Sequence, residues 1–321
     1  AFWIVALNTW IHTPAGLEMR DGVAHATDWM AIIFNTSMPY RLTHMLLASG
    51  LTVAFLIAGI SAIRMLWNVR KESVKYKLRF GVILVATLIQ VQIFLGDLHG
   101  LNTLEYQPQK VAAMEGNWET QSNVPLLLFA LPDEQARENR FEIGIPNGAS
   151  IILKHKPSGV VPGLNDFVAE DGTPLHPPVA PVFWSFRIMV GTGLAMLALS
   201  WAGAYVLRRR GADGMPKLML LAFAAMAFSG WIATLAGWYT TEIGRQPWLV
   251  QGVLTTKEAV AAVSAPMVLS TLIIYLLVYA GLIVAYMGTI TYLAFKASKG
   301  EPLSSRLYPR RGEAPVLHPG E

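Results

Sequence analysis

Long apolar runs separated by short polar links set the organisation of this chain. Five runs approach or exceed the roughly 20 residues that a helix needs to cross about 30 Å of hydrocarbon. They are Met45–Leu66, Leu78–Leu95, Phe186–Leu207, Leu218–Tyr239 and Met267–Phe295. A further run, "AFWIVALNTWI", opens the chain and is too short to span. It reads as the end of a transmembrane helix of a longer protein, with Ala1 an internal point of it. The pattern predicts an all-α fold, a polytopic transmembrane helical bundle, and shows no repeat at the level of motifs.

Charge in the links orients the runs. The first two are joined by "RMLWNVRKESVKYKLR" and the next two by "LRRRGADGMPK", and the tail carries Lys296, Lys299, Arg306, Arg310 and Arg311. If each run crosses once, all three basic segments fall on one side, which the positive-inside rule makes cytoplasmic. The segment Asp97–Ala180 is then external. Its acids outnumber its bases, and it carries Pro, Gly and short apolar patches such as "VPLLLFA", as in a partly folded surface loop. The expected division is residues 1–44 (end of a truncated helix and an external connection), 45–96 (two spans), 97–180 (external loop), 181–295 (three spans) and 296–321 (a cytoplasmic, disordered tail).

Composition agrees with a bilayer protein. The chain is 53% hydrophobic and 14% charged, against roughly 25% charged in soluble domains, and its mean hydropathy is +0.42. Ten Trp and ten Tyr suit aromatic belts at the membrane surface. With no Cys, a disulfide framework, thiolate-ligated zinc, iron–sulfur clusters and c-type haem attachment are excluded, leaving His, Met and carboxylates as ligands. The net charge of +4 sits in membrane-flanking links, so the lipid bilayer is the expected partner and no nucleic acid is.

Orientation brings scattered polar residues to one depth. His44 lies at the outer end of the first full span, and Met189, with Arg187 just before it, lies about one turn into a later one. His and Met on two helices at one depth can supply both axial ligands of a low-spin haem, and Arg187 can pair with an anionic propionate. Each residue also has a plainer reading. A His at a helix end, as His44 is, is usually an interfacial polar group, and Met is mostly core filler, as Met189 would be. Arg187 reads also as a snorkelling cation, and Glu242 with Arg245 as an interfacial ion pair. Trp238 and Trp248 fit an aromatic belt. Asn8 and His12 read as helix-end polar groups, and Asp97 and His99 as helix terminators.

The motif "GWYTTEIGRQPW" resembles the signature of subunit I of cytochrome bd-type quinol oxidases. "FRIMVGTG" is similar to the segment carrying the Met ligand of that family's low-spin haem, and "THMLLASG" to the segment carrying its His partner. "QPQKVAAMEGNWETQ" followed by "IPNGASII" resembles the front half of the family's quinol-binding loop. The likeness covers nearly the whole chain, in order.

The resemblance implies a subunit with haem b558, haem b595 and haem d that oxidises ubiquinol or menaquinol near the outer face and reduces oxygen to water. His44 and Met189 would be the axial ligands of haem b558, with Arg187 at its edge. Lys110 and Glu115 match the loop positions for quinol binding and oxidation. Glu242 matches the carboxylate ligand of a high-spin haem, with Trp238 one turn before it and Arg245 on a propionate; Asn8 and Asp97 match positions near the haems. The implied partners are cytochrome bd subunit II and, as an optional third member, a small single-span subunit, in the bacterial cytoplasmic (inner) membrane with the long loop periplasmic. The family's opening helices, with a further haem-ligating His and proton-path acids, are not in the sequence, so this chain by itself is not expected to complete an oxygen-reducing centre. The short stretch between "VVPGLNDF" and "PVAPVFW" resembles the short-loop branch that includes cyanide-insensitive oxidases. Other readings are a haem-free transporter or assembly subunit, and a b-type cytochrome that does not reduce oxygen.

Overall fold

The computed structural model describes residues 2–298. They divide between two compact units, Ala1–Ala259 and Val260–Glu321. In chain order the first unit contains α1 (Phe2–His12), the hairpin β1 (Leu17–Arg20) and β2 (Val23–Ala26), α2 (Trp29–Ile33), α3 (Met38–Leu66) and α4 (Glu72–Tyr106). Next come α5 (Pro108–Glu115), the hairpin β3 (Leu126–Asp133) and β4 (Glu138–Ile145), α6 (Gly148–Lys154) and α7 (Val179–Arg210). Helices α8 (Lys217–Ala225) and α9 (Ser229–Ile243) and the hairpin β5 (Trp248–Val250) and β6 (Leu254–Thr255) complete it. The described part of the second unit is built on α10 (Ala265–Ser298), a long helix of Leu, Ile, Val and Tyr.

Among the described residues, five stretches are long and apolar enough to cross a membrane: Trp29–Leu66, Glu72–Tyr106, Val179–Arg210, Lys217–Ile243 and Ala265–Leu293. They coincide with the five apolar runs, and the expected helical bundle is observed with three two-stranded antiparallel hairpins added. The helices extend past the apolar runs at several ends: α3 begins at Met38, α4 at Glu72 and α7 at Val179. Helix α4 does not stop at Asp97 or His99 but continues to Tyr106. Helical hydrogen bonding does not require apolar side chains, and Leu, Asn and Glu carry the helix on. It ends where Pro108 disfavours the helical conformation of Gln107.

Within the first unit, α3 packs along α4, α4 along α7, α7 along α9, and α9 against α3, with α8 also on α3. Four helices thus form a closed ring around a core that includes Phe55, Leu78, Val82, Met196 and Phe223. Small residues allow close approach, as is usual where bilayer helices meet without a hydrophobic drive between them. A Cβ on Gly81 would lie 2.8 Å from the Ala54 carbonyl oxygen, and one on Gly59 would lie 2.5 Å from Ala227 Cβ and 2.9 Å from the Phe223 carbonyl oxygen. At one end of the ring the two basic links meet: Arg70 donates to the Asp213 carbonyl at 3.2 Å, and Lys75 pairs with the Asp213 carboxylate at 2.7 Å.

The segment after α4 is folded. Helix α5 begins at Pro108, which needs no amide partner there, and ends at Gly116, whose φ of 67° closes the last turn. Hairpin β3–β4 carries Glu134 at its turn, and Glu134 accepts from the Val179 amide at 2.8 Å. That carboxylate satisfies an open donor at the start of α7 and places negative charge at its positive dipole end.

Replacing Gly59 with Leu forces a side chain into backbone and should destabilise the protein by about 1–3 kcal/mol or more. Gly191, inside α7, has open space around its Cβ position, so Gly191→Ala should not destabilise the protein and, by helix propensity, should add up to about 1 kcal/mol. Thermal unfolding of the detergent-solubilised proteins, followed by size-exclusion chromatography, compares the two.

Candidate functional site

Helix α5 is polar in sequence, "PQKVAAME", yet Gln109 to Glu115 are all buried. Every polar side chain along it therefore needs a partner. The two ends of the helix find theirs in different places.

At its C-terminal end, Glu115 (5% exposed) meets Arg187 of α7 at 3.4 Å. Arg187 also donates from Nε and Nη2 to the Leu127 carbonyl at 2.9 and 2.7 Å, and from Nη1 to the Met114 carbonyl. Its guanidinium lies over the Phe183 ring, 3.7 Å from the centroid. The sequence suggested a propionate partner for Arg187. In the structure its three nitrogens contact Glu115 and backbone carbonyls of α5 and β3. Burial pushes the Glu115 carboxyl above the usual range, and Arg187 opposes that rise.

At its N-terminal end, Lys110 (4% exposed) donates to Gln107 Oε1 at 2.7 Å and contacts His12 Nδ1 at 3.1 Å. Gln107 Nε2 approaches the same His12 nitrogen at 3.3 Å and Gln251 Oε1 at 3.3 Å. The Lys110 stem runs over Gly244: a Cβ there would lie 3.0 Å from Lys110 Cγ. The glycine of "GRQPW" is therefore crowded from two sides, by the Thr240 carbonyl oxygen, which is the nearer, and by the Lys110 stem. Burial, with Arg41 and Arg245 nearby, holds the Lys110 ammonium well below the ordinary lysine range, and Glu242 pulls the other way.

The turn after α9 completes the cluster. Glu242 Oε2 accepts from Arg245 at 3.0 Å, and Glu242 Oε1 accepts from Asn8 of α1 at 2.9 Å. Asn8 in turn accepts from Arg41 of α3 at 2.9 Å. Arg245 also donates to the Leu249 carbonyl at 2.6 Å, which ties the turn to β5, and the Gln251 amide donates to the Ile11 carbonyl at 2.9 Å, which ties hairpin β5–β6 to α1. Arg41 and Gln107 were not singled out from sequence. A cation one turn before His44 in an apolar helix, where ionisable groups are costly, was the available signal for Arg41.

His44 and Met189 occupy helices at opposite corners of the ring, α3 and α7, which share α4 and α9 as neighbours. His44 lies against Gly96 of α4, and its ring centroid is 6.1 Å from that of His99. Met189 lies against Gly237 of α9, where a Cβ would come within 2.8 Å of its sulfur. Trp238 does not join the polar cluster: it is 57% exposed and stacks on Tyr239. Asp97 is exposed on α4.

The residues present fit a haem. Among the described residues, no three His, Cys, Asp or Glu converge as they would around an ion held by protein alone, whereas haem iron takes one or two protein ligands. Buried His44 Nδ1, His12 Nε2 and Arg245 Nε have no hydrogen-bond partner in the protein. Each Glu242 oxygen accepts one hydrogen bond, which leaves lone pairs free for a metal.

The depressed Lys110 value has a consequence for stability. Between its lowered folded value and about 10.4 in the unfolded chain, the unfolded state binds more protons, so stability rises with pH by up to about 1.4 kcal/mol per unit. Thermal unfolding between pH 7 and 10 should show this rise in the parent protein and a flatter profile in Lys110→Met. Parallel profiles would contradict it.

Comparison with known proteins matches this architecture. A family model described as cytochrome bd terminal oxidase subunit I matches residues 1–298. Cytochrome bd ubiquinol oxidase subunit 1 of Bacillus subtilis (strain 168) is 33% identical over 270 residues, covering 81% of this chain and 57% of that protein. Cytochrome bd-II ubiquinol oxidase subunit 1 of Escherichia coli (strain K12) is 27% identical, covering 89% of this chain and 68% of that one. The solved bd oxidase from Geobacillus thermodenitrificans superposes with a TM-score of 0.81 at 31% identity, covering 91% of this chain and 66% of its own. The chain thus spans 57% of the length of the Bacillus relative and 66% of the solved chain. Matched along residues 1–298 and sharing the fold of a solved bd oxidase, the chain belongs to the cytochrome bd terminal oxidase subunit I family.

Proposed function

We propose that this chain is the haem-bearing part of a terminal quinol oxidase of the bacterial inner membrane, working with cytochrome bd subunit II and, optionally, a small single-span subunit. The observation that carries the reading is the buried arrangement around α5, in which Glu115 and Arg187 lie at one end and Lys110 reaches the turn after Glu242 at the other. One short helix thereby joins the quinol-loop positions to both candidate haem regions.

His44 and Met189 would hold haem b558, and Glu242 would ligate haem b595 or haem d while Arg245 offers its free Nε–H to a propionate. When bound, haem would supply one-electron transfer and, at the high-spin sites, the chemistry of oxygen reduction. Lys110 and Glu115 would act on ubiquinol or menaquinol. Losing two electrons obliges quinol to release two protons, and Glu115, held above the usual carboxylate range by burial, suits acceptance of one. Arg187 keeps that carboxylate oriented and ties α5 and β3 to the helix bearing Met189. Lys110 hydrogens suit a quinone oxygen. The loop side of the membrane would be periplasmic, as the basic links 67–77 and 208–217 imply.

A reduced-minus-oxidised spectrum of the full-length parent complex tests the haem assignments. Glu242→Ala should remove a high-spin haem feature while the low-spin b band stays, and Met189→Leu should do the reverse. An unchanged spectrum in both would overturn them. For Glu115, quinol-dependent oxygen uptake should rise with pH through a value above the ordinary glutamate figure of about 4.3. Glu115→Gln should abolish that limb and lower kcat about a hundredfold; an unshifted limb would remove Glu115 from the proton path.

A further inference from the structure

We infer that His12 is a ligand-binding residue whose Nε2–H donates to a carboxylate oxygen of the haem that Glu242 and Arg245 are proposed to hold. The inference rests on that reading of Glu242 and Arg245.

The tautomer follows from the hydrogen-bond network. Gln107 Oε1 accepts from Lys110 at 2.7 Å, which fixes the amide so that its NH2 faces His12. An amide nitrogen only donates, so His12 Nδ1 must accept, and the ring hydrogen of a neutral imidazole then sits on Nε2. His12 is 1% exposed, and Nε2 has no acceptor in the protein. Buried donors are rarely left alone, because desolvation without a hydrogen bond is costly. Nearby, buried Arg245 Nε is also without an acceptor. Both belong to one neighbourhood, since Lys110 touches His12 at its tip and Gly244, next to Arg245, along its stem.

Charge selects the acceptor. Arg41, Lys110 and Arg245 are joined through Asn8, Glu242 and the 244–245 turn, and Glu242 is the carboxylate that this network contains. Two guanidiniums, Arg41 and Arg245, about the one carboxylate Glu242, with the Lys110 amine beside them, favour an anionic oxygen over a neutral one. A haem propionate has that chemistry, whereas a quinone oxygen would leave the positive excess uncompensated.

The test uses the full-length parent complex with its second subunit. High-spin haem retention is read from its absorption band, relative to the low-spin b band, during dilution into haem-scavenging apoprotein. Loss of a hydrogen bond to a charged group should weaken retention about tenfold in His12→Phe. His12→Gln places an amide N–H near the Nε2 position and should restore retention. His12→Asn instead mimics the acceptor facing Lys110 and should not. The inference is overturned if Asn restores retention and Gln does not, which would leave His12 only a seat for Lys110. It is equally overturned if His12→Phe retains haem normally, or changes only the KM for quinol. If His12→Phe fails to assemble, the Gln and Asn variants decide alone. A high-spin band unaffected by Glu242→Ala would defeat the underlying site reading; a Glu242-dependent band indifferent to His12 would defeat this inference by itself.

Discussion

Burying a polar helix obliges its surroundings to supply hydrogen-bond partners, and helix α5 imposes that constraint on one whole end of this bundle. Its carboxylate draws Arg187 from α7, and its lysine draws His12 from α1 and the glycine after α9. The partners come from elements far apart in the chain. Once α5 is seated, α1, α7 and the turn after α9 have little freedom relative to one another, because a displaced partner would leave a charged or polar group alone in a dry interior.

The two ends of the four-helix ring are held by different physics. Along its length, small residues let the helices approach until backbone meets backbone, so packing decides their spacing. At the α5 end, hydrogen bonds decide it. The Arg41–Asn8–Glu242–Arg245 chain links three elements through side chains alone, with both Glu242 oxygens engaged. A carboxylate fixed at both oxygens is already aimed before any ligand arrives, which is the kind of preorganisation that metal ligation and electron transfer favour. Tension between stability and function is visible here too: Lys110 and Glu115 are both pushed toward their neutral forms by burial, a cost that a purely structural helix would avoid with apolar residues.

The hairpins serve the same end. Glu134 at the tip of β3–β4 satisfies the first amide of α7, and Leu127 on β3 receives two hydrogens from Arg187. Hairpin β5–β6 returns to α1 through Gln251. A loop expected to be only partly folded is therefore tied down at several points by groups that themselves need partners.

The sequence by itself determined the five apolar stretches and the family, because hydropathy at bilayer length and a run such as "GWYTTEIGRQPW" are local properties of the chain. It also marked Arg187, Glu242 and Arg245 as worth attention, since ionisable groups near apolar runs are costly, and Lys110 and Glu115 through the likeness of their segment to the family's quinol-binding loop. Only the tertiary structure decided which of them meet. Arg187 turns to Glu115 and the loop carbonyls, Trp238 faces outward, α4 runs past Asp97 and His99, and His12, an unremarkable helix-end residue in the sequence, is enclosed beside Lys110. Pairings across 98 and 234 residues of chain separation depend on how helices pack around a shared core, and no local pattern encodes that.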